Sequence, residues 1–152
     1  MKTVIQRVSS SSVTVDNQRI ASIQRGFLIL LGVESGDTVA DLKALTDKIA
    51  KLRIFADEND KMNLSIRDIG GEILLVSQFT LCAQTRHGNR PAFVSAMAPS
   101  EARPMYEKFG AALENLGIPV QYGEFGAMMD VALHNDGPVT IVMEAKNGVI
   151  TA

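Results

Sequence analysis

Seven consecutive residues, Phe27-Leu28-Ile29-Leu30-Leu31-Gly32-Val33, carry no polar side chain. A strand with one wet face alternates apolar and polar residues. An unbroken run this short therefore predicts a strand buried on both faces, central in a sheet that is covered above and below. It is the longest such stretch in the chain and falls far short of the roughly 20 residues a membrane-spanning helix needs. A chain of 152 residues is expected to form a single domain over 1–152, built around this strand.

The surrounding sequence supplies the rest of an α+β sheet protein. Val4, Ile5, Val8, Val13 and Val15 precede turn chemistry at Asp16-Asn17-Gln18, and Ile20 to Ile23 follow, which reads as an N-terminal hairpin. Thr38 and Asp41 have capping-box spacing, and Leu42, Leu45, Ile49 and Leu52 continue an amphipathic helix to about Phe55. Glu72 to Leu81 reads as a second buried strand with a polar far end, and Gly88 to Pro99 as a loop. A second helix carries Tyr106, Phe109, Leu113 and Leu116 on one face, with Pro104 in its first turn and Gly117 as its stop. Strands are expected at Val120–Phe125, Met128–Leu133 and Val139–Met143, the last two separated by Asn135-Asp136-Gly137-Pro138. Two amphipathic helices and hairpins at both ends predict an antiparallel or mixed sheet curling toward a barrel. Without βαβ alternation or a G-x-G-x-x-G, a dinucleotide-binding fold is not expected.

Chemistry is harder to find. The net charge of −2 does not advertise a nucleic-acid partner, and the one basic stretch is Thr85-Arg86-His87-Gly88-Asn89-Arg90. Cys82 is the only cysteine, which excludes an internal disulfide and reads as a packed thiol. Asp57-Glu58-Asn59-Asp60 lacks the glycine and terminal glutamate of a calcium loop, so it is a solvated turn. Ser77 and Thr80 are the candidate nucleophiles, yet hydroxyls need a base, and neither His87 nor His134 lies near them in sequence. The start of the chain, MKTVIQRVSSSSVTVD, has no continuous apolar core, so a cytoplasmic protein without a secretory leader is expected.

The two polar strand ends carry a resemblance. Ser77-Gln78-Phe79-Thr80-Leu81 and Asn135-Asp136-Gly137-Pro138-Val139-Thr140 resemble the two signature motifs of the D-aminoacyl-tRNA deacylases, also called D-tyrosyl-tRNA deacylases. The likeness extends through Val4 to Val8, Leu31-Gly32-Val33, Gly88 to Phe93 and Gly123 to Met129. It implies a cytoplasmic homodimer with a β-barrel-like fold that hydrolyses D-aminoacyl-tRNA, bound by its acceptor end, with no metal or organic cofactor and no membrane. Catalysis would fall to Ser77, Gln78, Phe79 and Thr80. Backbone amides of Phe79 and Thr80 would hold the developing oxyanion, the 2′-hydroxyl of the terminal adenosine would assist, and the Thr80 hydroxyl would not be an obligatory nucleophile. Gly137 and Pro138, joined by a cis peptide, would reach the partner's site and set chirality. Phe125, Met129 and Asn135 would form the substrate pocket, with Arg7, Arg86 and Arg90 as tRNA contacts. The alternative is a non-catalytic tRNA-binding module resembling the editing domains of synthetases.

Overall fold

The computed structural model describes residues 1–152. Its first two strands, β1 (Lys2–Val15) and β2 (Gln18–Ile23), form the expected hairpin, and both turn residues, Asp16 and Asn17, have positive φ. That geometry matches the right-handed twist of the strands it joins, and Asp and Asn tolerate it better than most residues. The apolar run becomes β3 (Gly26–Gly32), followed by α1 (Val39–Lys51), a small hairpin of β4 (Phe55–Ala56) and β5 (Met62–Leu64), and β6 (Glu72–Ser77). Then come α2 (Pro99–Asn115), β7 (Val120–Tyr122), β8 (Asp130–Lys146) and β9 (Val149–Ile150).

Seven strands share one sheet in the order β7-β6-β3-β1-β8-β9, with β2 added to β1. The β3/β6 and β6/β7 pairs are parallel and the others antiparallel, so the sheet is mixed. Its central strands are buried on both faces, as the unbroken apolar runs require. Phe27, Ile29, Leu31, Ile73 and Leu75 point into the main core, where Leu42, Leu45 and Ile49 of α1 and Tyr106, Phe109 and Leu113 of α2 cover them. The alternate residues Leu28, Leu74 and Val76 join Val8, Val13, Ala21 and Ile23 in a second cluster on the opposite face. This second cluster needs no helix, because β2 curls back over β6 and β7. The sheet thus closes on itself as a half-barrel.

Four expectations are corrected. Helix α1 stops at Lys51, and Phe55 lies in β4, its ring stacked on Phe27 at 5.2 Å. Strand β6 ends at Ser77, and Phe79–Cys82 form a 3-10 turn. Helix α2 begins at Pro99, so Pro104 lies inside it, where the missing N–H costs one bond to the exposed Ser100. Strand β8 runs unbroken from Asp130 through Asn135-Asp136-Gly137-Pro138 to Lys146, so the second motif is a bulge within one strand rather than a break between two. Gly117 does end α2, at φ +84°.

Asp41 fastens α1 to the last hairpin. Its carboxylate accepts the N–H of Thr38 at 2.8 Å, the Thr38 hydroxyl at 3.2 Å and the N–H of Gly148 at 2.8 Å. Burial pushes its pKa up, but the hydrogen bonds from Gly148 and Thr38 together hold it below the ordinary carboxylate range. A depressed folded pKa contributes stability above the unfolded value of about 4, which is lost as pH falls through the folded value. Asp41→Ala is therefore expected to cost about 2–3 kcal/mol at neutral pH, a difference from wild type that shrinks below about pH 4 in denaturant titrations.

Candidate active site

In an open sheet with parallel strands, the carboxyl ends of those strands leave room for a ligand. Here the ends of β3 and β6 open into a cleft of about 640 Å³. Val33, Val76 and Ser77 form its base, the start of α2 from Ala98 to Ala102 forms one wall, and the Phe125–Met129 segment forms another. Phe93, Ala96 and Met97 complete a mostly apolar lining. At the mouth, the rings of Phe79 and Phe93 meet edge to face at 5.0 Å, and Phe79 remains 56% exposed. Phe125 is fixed between the Tyr106 ring at 5.8 Å and the Arg103 guanidinium at 4.9 Å. The Tyr106 hydroxyl donates to the Leu75 carbonyl at 2.9 Å, and burial pushes its pKa well above that of a free phenol. That phenol therefore stays protonated in the ordinary pH range and braces α2 against β6.

The first motif forms the mouth. Gln78 donates its backbone N–H to Leu31 at 2.8 Å, which ends the strand pairing and lets the chain turn. The 3-10 turn is closed by Leu81 N–H to Gln78 and Ala83 N–H to Thr80. The first N–H groups of such a turn have no partner within it, so those of Phe79 and Thr80 are the ones free of its internal bonding. Gln78 reaches across with its amide to the Thr80 hydroxyl. No histidine joins this group: His87 is exposed in its loop, and His134 Nδ1 sits 3.1 Å from Ser10 Oγ. Cys82 is buried under the turn with its thiol toward the Val33 carbonyl, and burial pushes its pKa up, leaving an unreactive thiol. No three His, Cys, Asp or Glu residues are grouped to hold a metal ion.

The second motif lies elsewhere on the same chain. Between the pairs Gln6–Thr140 and Val8–Asn135, the four residues Asp136 to Val139 span the single residue Arg7. Asn135 closes the bulge, accepting the Val139 N–H on Oδ1 at 2.7 Å and donating from Nδ2 to the Val139 carbonyl and the Thr140 hydroxyl. Gly137 and Pro138 are joined by a cis peptide and are exposed. Neither they nor Asn135 lines the cleft of their own chain, whereas Ser77, Gln78, Phe79, Phe125 and Met129 do, with Thr80 exposed beside them.

Arg7 has a different place from a phosphate contact. Its side chain is only 12% exposed, and it donates to the Asp136 carbonyl at 2.9 Å and the Ile54 carbonyl at 2.5 Å. The guanidinium is spent inside the fold, holding the bulge from beneath. Arg86 and Arg90 are exposed in the loop whose base, the Gln84–Ala92 bridge, adjoins the cleft residue Phe93. Sequence reasoning also missed Met97, Ala98 and Ala102 as cleft residues, because small and apolar side chains at a helix start carry no chemical signal.

Fold and site together define a small half-barrel protein with a mostly apolar cleft at the ends of its parallel strands and a second, exposed motif outside that cleft. The D-Tyr-tRNA(Tyr) deacylase family profile matches residues 4–144. A D-aminoacyl-tRNA deacylase of Flavobacterium johnsoniae is 55% identical over 148 residues, covering 97% of this chain and 99% of its own. One of Roseiflexus castenholzii is 58% identical over 145 residues, covering 95% and 92%. Among solved structures, the c-Myc DNA Unwinding Element Binding Protein superposes with a TM-score of 0.90 at 42% identity, covering 96% of this chain and 99% of that one. A probable eukaryotic D-amino acid tRNA deacylase, at 17% identity and a TM-score of 0.76, shares the fold. The chain belongs to the D-Tyr-tRNA(Tyr) deacylase family.

Proposed function

We propose that this protein hydrolyses the ester joining a D-amino acid to the 3′ end of its tRNA, and that it does so as a homodimer in the cytoplasm. The observation that carries this reading is the separation of the two motifs. The cleft holds Ser77 to Phe79, while Gly137 and Pro138 face outward beyond it. A second copy related by two-fold symmetry is the simplest way to bring the dipeptide over a cleft, because both subunits then present the same surfaces.

The cleft offers the terminal adenosine an apolar bed and aromatic edges at Phe79 and Phe93. The ester carbonyl then lies at the 3-10 turn, where the N–H groups of Phe79 and Thr80 receive the negative charge that develops as water attacks. The C–O bond to the ribose breaks, the neighbouring ribose hydroxyl donates toward the departing oxygen, and a proton from the attacking water completes the tRNA hydroxyl. Backbone donors suit an enzyme that accepts many side chains. Discrimination needs a repulsive element, since attractive contacts to side chains cannot reject every L-amino acid at once. The Gly137–Pro138 backbone fills the volume an L side chain requires, while a D side chain points to solvent. Arg86 and Arg90, exposed in the loop that adjoins the cleft, are the cations this reading assigns to the acceptor strand.

Purified protein incubated with D-tyrosyl-tRNA and with L-tyrosyl-tRNA is expected to release the D-amino acid and to leave the L-ester at its spontaneous rate. Binding without loss of either ester would make the protein an RNA-binding module. Equal loss of both would remove the chirality assignment.

A further inference from the structure

Outside the cleft, the face formed by β2, β1 and β8 holds a second depression of about 350 Å³, bordered by Ser10, Ser12, Arg19, Ser22, Gln24 and His134. Its shape follows from the register. Ser12 lies opposite Ser22 on one side and Ala132 on the other, and Ser10 lies opposite His134, so short side chains leave a floor between longer ones. The lining is rich in donors and contains no carboxylate. Two carboxylates flank it: Glu72 accepts the backbone N–H of Gln24 at 3.0 Å, and Asp130 lies opposite Thr14, the residue that Arg19 faces from the other side. Arg19 is exposed and takes part in none of the ion pairs of the protein, which leaves its guanidinium free for a ligand.

We infer that this depression is a phosphate site for the single-stranded 3′ end of the RNA substrate. A guanidinium with several hydroxyl and amide donors around a concave floor matches the tetrahedral oxygens of a phosphodiester. Its location selects the RNA source, given the deacylase reading on which this inference rests. His134 and Gly137 are three residues apart on the same strand, which sets an upper limit of about 10 Å at roughly 3.3 Å per residue, and the bulge shortens it. If Gly137 reaches over the partner's cleft, the depression beside it meets the phosphates just upstream of the nucleotide in that cleft.

The test is binding of uncharged tRNA across a range of salt concentrations, which does not depend on turnover. Arg19→Ala is expected to weaken binding about tenfold and to make the log Kd against log salt slope shallower by about 0.7, the loss of one single-strand phosphate contact. Arg19→Lys should restore most of the slope, and hydrolysis of D-tyrosyl-adenosine, which has no phosphate, should be unchanged in both variants. An unaltered slope in folded Arg19→Ala, or an equal loss on the phosphate-free ester, would overturn the inference. So would loss of inorganic phosphate binding in Arg19→Glu with tRNA affinity intact, which would make the depression a free-anion site. Absence of turnover by the wild type on D-tyrosyl-tRNA would sink the catalytic reading alone, because the salt slopes still decide the phosphate site.

Discussion

Gly137→Ala is expected to lower deacylation of D-tyrosyl-tRNA by about 100-fold, the penalty that follows when a positioning group moves by about 1 Å. Two features of the site carry this. Gly137 has φ +137°, a conformation that L side chains rarely adopt. An added Cβ would also lie 2.8 Å from Val139 Cγ2 and 2.9 Å from Arg7 Nη2, both too close to keep. Relief requires the bulge or the guanidinium beneath it to shift. The stability cost should be about 1–3 kcal/mol, so the variant stays folded while the motif is displaced. Thermal unfolding and single-turnover kinetics on the same preparation separate the two effects. A folded Gly137→Ala with wild-type rate would show that the outward dipeptide has no part in the reaction.

Arg7→Ala is expected to damage both stability and activity. The Arg7 guanidinium ties the Asp136 carbonyl, in β8, to the Ile54 carbonyl in the segment after α1. Removing a largely buried charged donor leaves these acceptors without it, at about 2–3 kcal/mol. Without that anchor the bulge samples other arrangements, and turnover should fall at least about tenfold. Arg7→Lys keeps the charge but lacks the planar fork that reaches both carbonyls, so it should recover only part of either loss. Denaturant midpoints and kcat measured for the three proteins check this. If Arg7→Ala weakened tRNA binding with stability and kcat intact, Arg7 would be a phosphate contact after all.

Much of the fold was legible because the relevant signals are local. The apolar run of β3, the Asp16–Asn17 turn and the Gly117 stop each act within a few residues, and all three hold. The half-barrel was legible in class, since buried central strands with two amphipathic helices leave few arrangements. The continuity of β8 was not legible. Pro138 cannot donate to a sheet ladder and reads locally as a break. What carries the strand through is the bulge held by Arg7 and Asn135, and Arg7 lies 129 residues from Asp136 in sequence. The same distance hid the place of Arg7 itself, which from sequence was one more surface cation. Much of the cleft was also silent, because Met97, Ala98 and Ala102 become lining only when the segment leading into α2 folds against the end of β6. Asn135 was expected in the substrate pocket, whereas its side chain is committed to the bulge.

The central claim is that each working site is shared, with a cleft from one subunit and the Gly137–Pro138 bulge from the other. Complementation between two inactive variants tests it most directly. Gly137→Ala impairs the bulge, and Phe79→Asp impairs the mouth of the cleft at an exposed position that leaves the core untouched. Each homodimer should be nearly inactive. After the two are mixed and allowed to exchange subunits, half of the dimers are expected to be mixed, each with one site whose cleft and bulge are both intact, so activity should recover to about a quarter of wild type. Mixed dimers that form and show no recovery would contradict a site completed by the partner.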